Sequence, residues 1–257
     1  MKLKTLTILA IFSVANALLA VDLQYFSIST NQAAEVKQKL GAFENGNLTL
    51  QDLNENAGVE GCRELVGYYL LHTNDITEKA KLPIGRSFAG FKLFPEATNL
   101  GAQYVTVFSN DWHGWRLLGS AYNSLHLSDE SIQAYRNAVK LGDKDSYASL
   151  AEVALNKNRF DVVQDLLPQL FALKDNPQTP EKNRLNLTSI LIFYSVRAHQ
   201  KDVFIKTLEG VDMKQIAQNW MVSNNVMAGC KAFKGEDTDK IRQAVEAAGK
   251  PEAKPPQ

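Results

Sequence analysis

Apolar residues recur along most of the chain at intervals of three and four, the period of helices buried on one face. The clearest stretch is DWHGWRLLGSAYNSLHLSDESIQAYRNAVKLGD, residues 111–143. Trp115, Leu118, Gly119 and Tyr122 fall on one helical face and predict a helix over 112–125. Ser131, Tyr135, Ala138 and Val139 line a second helix. Ser128 is expected as its N-cap, with Asp129 and Glu130 in the first turn, where the helix dipole favours negative charge. Lys140 and Gly142 close it, a cation in the last turn and a glycine beyond. The pair reads as a hairpin with a tight turn. Gly119 lies mid-face, where glycine costs about 1 kcal/mol against alanine. The expected compensation is close approach of a second helix that a side chain would block.

The same period organises the flanks. A helix is predicted from Gln32 to Phe43, with Ala33, Val36 and Leu40 inward, and a short one over 48–55. Gly61 to His72 repeats the central spacing at Cys62, Leu65, Val66 and Tyr69. Its expected partner helix is poor, because Lys79, Lys81 and Pro83 interrupt any apolar face. Phe88, Phe91 and Phe94 are expected to cover the open end of a stack, and 97–108 to be helical despite the strand formers from Tyr104 to Phe108. Downstream, Tyr147, Leu150, Ala151 and Ala154 repeat the spacing, with a turn at 156–159 and Pro168 expected to kink the second helix. A polar insertion at 176–183 precedes a weaker pair over 185–199 and 203–208. One long helix is predicted over 213–233, then a charged capping helix over 237–248, then a disordered tail over 249–257.

The central stretch resembles a tetratricopeptide repeat, whose pattern is W-x2-L-G-x2-Y, then A-x3-F, then P. Trp115, Leu118, Gly119 and Tyr122 match its first half; Ser131 and Tyr135 replace the alanine and the phenylalanine, and Asp143 stands where proline is usual. Gly119 and Ala151 are 32 residues apart, close to the roughly 34 of that repeat. The expected fold is therefore all-α: a short α-solenoid of degenerate hairpins over 109–248, with a helical N-terminal cap over 21–108. The resemblance also implies a groove, lined by the first helix of each repeat, that takes an extended peptide or a partner helix. Residues expected to face it are Trp112, Arg116, Ser120 and Asn123, then Glu152 and Asn156, then Arg197.

Composition adds a compartment. The chain opens MKLKTLTILAIFSVANALLA, with Lys2 and Lys4 before an apolar run, which reads as a signal peptide over 1–20 cleaved after Ala17 or Ala20. The mature chain is expected to be periplasmic or secreted, with no integral membrane span. Without residues 1–20 it carries 26 basic and 28 acidic residues, so no basic face suggests nucleic acid. Cys62 and Cys230 are an even pair in an oxidising compartment, which points to a disulfide; two separate buried thiols are the alternative. The sequons at Asn47 and Asn186 are read as chance matches.

Nothing in the pattern demands catalysis, a metal or a cofactor. No two of His72, His113, His126 and His199 are spaced as metal ligands, and no Cys-x2-Cys occurs. Cys62 and His72, ten residues apart, would lie about 15 Å apart on one helix. The expectation is a protein–protein interaction module, an adaptor or assembly factor, and not an enzyme. Two alternatives stand beside it. One is a glycan-associated envelope protein using Trp112 and the Phe88–Phe94 aromatics. The other is an enzyme on a helical scaffold with a polar pocket around His113 or His126.

Overall fold

The computed structural model describes residues 23–249. The expected signal peptide and residues 250–257 of the expected tail lie outside the described residues. Among the described residues all regular structure is helical. A 3-10 turn at Leu23–Phe26 leads into α1 (Thr30–Glu44), and a π-turn at Asp52–Asn56 into α2 (Gly58–Leu71). There follow α3 (Lys81–Gly90), α4 (Phe94–Val107), α5 (Trp112–Ser124), α6 (Ser128–Lys140), α7 (Ser146–Asn156) and α8 (Phe160–Asp175). The series ends with α9 (Glu181–Arg197), α10 (Lys201–Leu208), α11 (Met213–Gln218), α12 (Trp220–Ala232) and α13 (Glu236–Ala248). The chain divides into two compact units, residues 1–146 and 147–257.

In the first unit each helix packs on its neighbours in the chain, α1 on α2, α2 on α3, and so on to α5 on α6, which is the packing order of an α-solenoid. One apolar core runs through it from Phe26 to Ala134, with Val66, Ile84, Phe88, Leu100, Leu118 and Ala121 at its centre. Residues 109–146 share this core with the region before them. In the second unit α9 packs against α8, α10 and α12, and α13 lies on α11 and α12. Ile192, Phe204, Ile216, Val222, Val226 and Val245 form its core.

The repeating device is the turn inside each hairpin. Lys92, His126, Asn158 and His199 all hold left-handed backbone, with φ of 61°, 60°, 57° and 56°. Around each of them the same two hydrogen bonds close the preceding helix. For His126 these run from its own N–H to the Asn123 carbonyl (3.0 Å) and from the Leu127 N–H to the Tyr122 carbonyl (2.9 Å). Lys92, Asn158 and His199 carry the equivalent pair. This is the Schellman ending, which satisfies carbonyls that the last helical turn leaves open. The four positions are 34, 32 and 41 residues apart, the last interval containing the 176–183 insertion. They mark hairpins α3–α4, α5–α6, α7–α8 and α9–α10.

Several expectations are corrected. Residues 81–107 form a full hairpin, and Pro83 does not interrupt it, because it sits in the first turn of α3 where backbone N–H groups have no helical acceptor. Leu82, Ile84 and Phe88 bury the inner face of that helix. Phe88 is thus core, and it is Phe91 that packs on the N-terminal lead, against Phe26 (5.1 Å) and Tyr25 (5.9 Å). Ser128 is the first helical residue of α6, and Leu127 holds the cap position without a side-chain bond. The long helix over 213–233 is two helices, broken at Asn219, whose extended backbone and side chain cap the N–H of Val222. Pro168 lies inside α8, on its exposed side, without ending the helix.

Candidate functional site

Four of the residues expected to face a groove, Trp112, Arg116, Ser120 and Asn123, lie on α5 of the first unit. The start of that helix is a dense polar knot. Asp111 has extended backbone (φ −94°, ψ 111°) and caps the helix, its Oδ1 accepting from the His113 N–H at 2.9 Å. The same oxygen lies 2.7 Å from His113 Nδ1. Ionised carboxylate can only accept, so Nδ1 carries a proton and donates to it. Tyr104 Oη donates to the other carboxylate oxygen. Burial raises the Asp111 pKa, but the bonds from the His113 ring, Tyr104 and the His113 N–H outweigh it and bring it down to about 2. Burial, reinforced by Asp111, pushes the Tyr104 phenol well above its usual range. Gly114 lets α5 settle here, since a Cβ on it would lie 2.6 Å from the Tyr104 ring.

Trp112 stacks on His113 with centroids 3.5 Å apart and planes 21° apart. The Arg116 guanidinium lies over the same indole at 4.5 Å. Arg116 also bridges Asp143 (3.3 Å) and Asp145 (3.0 Å) in the loop after α6. Asp143 is 4% exposed and also accepts from Ser146 Oγ. The indole surface and the cation are therefore engaged within the protein, and two carboxylates surround one guanidinium. Ser120 and Asn123 are exposed farther along α5. Trp115 donates its Nε1–H to the Ser109 carbonyl (2.8 Å) and is part-buried against the core.

Glu152, Asn156 and Arg197 lie in the second unit, all exposed. Glu152 accepts from Asn186 at 3.0 Å, which ties α7 to α9. Arg197 donates to the Asn158 side chain in the α7–α8 turn and lies 5.1 Å from the Phe193 ring and 5.9 Å from the Phe160 ring. The structure thus brings Trp112 and Arg116 into contact, and within the second unit it links Glu152 and Arg197 to α9 and to the α7–α8 turn. Sequence reading missed Tyr104, Asp111, Asp143 and Asp145 as partners. An aspartate just before a predicted helix was a usable signal for Asp111; the others come from a different helix or from a loop.

Cys62 and Cys230 are both free thiols, so the expected bridge is not formed. The Cys62 thiol donates to the Asn54 carbonyl at 3.4 Å. Cys230 is buried in the core of the second unit. Among the described residues no group of three or more His, Cys, Asp or Glu is placed to hold a metal ion. None of the described helices is long and apolar enough to cross a membrane. Cavities of about 260 Å³ in the first unit and 650, 330 and 550 Å³ in the second have neither His113 nor His126 in their walls. Comparison with protein-family models and with curated proteins finds no match for the chain.

Proposed function

We propose that this protein is an exported interaction module of tetratricopeptide-like hairpins, holding a segment of a protein partner along the exposed side of α5. The observation that carries the reading is the recurrence of one left-handed turn geometry at Lys92, His126, Asn158 and His199. Like turns spaced 34 and 32 residues apart, and 41 across the insertion, repeat one supersecondary unit, and within a unit such hairpins expose a face suited to an extended peptide or a helix. The lysines and apolar run at the N-terminus support export to the periplasm or the exterior.

The electrostatics refine the partner. Arg116 is already balanced by Asp143 and Asp145, so it offers no free cation to a partner carboxylate. A neutral or basic segment suits this face, its main chain meeting Ser120 and Asn123. A photo-activatable residue placed at Ser120 or Asn123 in the full chain should cross-link a defined partner in the native envelope. The same probe at Gln133, exposed on α6, should not. Equal labelling from both faces, or none from α5, overturns the reading.

A further inference from the structure

A cavity of about 650 Å³ in the second unit has a chemistry unlike the α5 face. Its wall holds Lys231, Lys234 and Arg242 with Asp239, and between them Met227, Ala228, Cys230 and Gly235. Lys201 lies beside Gly235 of the wall: its Nζ is 3.1 Å from where a Cβ of that glycine would sit. Arg242 pairs with Asp239 at 2.8 Å, and nearby Lys240 pairs with Glu236 at 2.7 Å. Lys201, Lys231 and Lys234 have no ion pair among the described residues, and the one acid in the wall, Asp239, is already paired with Arg242. Gly235 occupies the cap position of α13 and has no side chain to cap it. Two lysines without an ion pair in the wall, and a third beside Gly235, favour an anion seated there.

We propose that this cavity is a binding site for a small multivalent oxyanion, either a phosphoester or a polycarboxylate. Lys231 and Lys234 supply charge-assisted contacts from the wall, Lys201 adds its charge beside Gly235, and Met227, Ala228 and Cys230 receive the apolar part of the ligand. The site is independent of the α5 face and stands or falls without it.

Calorimetric titration of the full chain with pyrophosphate, and separately with citrate, at an ionic strength held constant with sodium chloride, tests this. Saturable binding is expected to one of the two; which one binds separates phosphoester from polycarboxylate. The double variant Lys231→Gln/Lys234→Gln should bind about tenfold more weakly or worse, and the single variant Lys234→Gln should fall between. Lys140→Gln, an exposed lysine of the first unit, should bind as the parent does. Absence of saturable binding to both anions overturns the proposal, as does parental affinity in the double variant or an equal loss in Lys140→Gln.

Discussion

Gly119 of α5 and the ring of Tyr135 on α6 claim the same space: a Cβ on Gly119 would lie 2.7 Å from the tyrosine ring. One turn away, Ser131 Oγ donates to the Gly119 carbonyl at 2.8 Å. The missing side chain lets one helix lie on the other, and the buried serine fastens them there. Gly119→Ala gains helix propensity of about 1 kcal/mol but overpacks the contact at a cost of roughly 1–3 kcal/mol. The expected net effect is destabilisation of about 1 kcal/mol by urea denaturation. In a Tyr135→Ala background the clash is gone, and the same substitution should be neutral or stabilising.

Arg116 and Asp143 should behave as a structural pair. Arg116→Ala leaves Asp143 buried with only the Ser146 hydroxyl and the Asp145 N–H to satisfy its charge, an expected loss of about 2–3 kcal/mol. Asp145 is 75% exposed at its side chain, and Asp145→Ala should cost no more than about 0.5 kcal/mol. Similar losses from the two variants would refute the distinction.

Asp111 contributes to acid sensitivity. Its folded pKa, about 2, is below the ordinary 3.8. The stabilisation is present above pH 3.8 and is lost as pH falls through 2. Because the group is part-exposed, the contribution is on the order of 1 kcal/mol, less than the shift alone implies. Asp111→Asn should be weaker than the parent at pH 6 and converge with it near pH 2, measured by denaturation at a series of pH values.

Glu96 acts in the opposite sense. Its carboxylate oxygens are buried with no hydrogen-bond partner from another of the described residues, and burial raises its pKa above the ordinary 4.5, against a smaller lowering from its own backbone N–H. Its contribution to stability is therefore greatest below pH 4.5 and is lost as pH rises through its raised folded pKa. Glu96→Gln should flatten that decline; an unchanged slope would show that the group is not desolvated in solution.

The four left-handed turn residues differ in what they cost. Asparagine tolerates this backbone better than histidine or lysine. His126→Gly and Lys92→Gly should each stabilise by roughly 0.5–1 kcal/mol, and Asn158→Gly by less. Thermal melts of the three variants give the ordering; an Asn158→Gly gain equal to the others would contradict it.

The α5–α6 hairpin was legible because its contacts are local: Gly119, Ser131 and Tyr135 lie within one repeat, and the spacing alone places them face to face. The α3–α4 hairpin was hidden because Lys81 and Pro83 look disruptive until the helix start is known, and only then does the proline fall in a turn that needs no donor. Trp112 and Arg116 were found as candidates, but their contacts with His113, Asp143 and Asp145 depend on side-chain geometry that spacing does not encode.

From the amino-acid order alone came the all-helical class, the period near 34 and the reason for a glycine at 119. Periodicity acts through bonds and contacts a few residues apart, and it is readable in one dimension. Folding in space decided which charges are already balanced, that Cys62 and Cys230 remain thiols, and that Lys231 and Lys234 line one cavity. Those outcomes depend on which distant side chains meet and how much water is left between them.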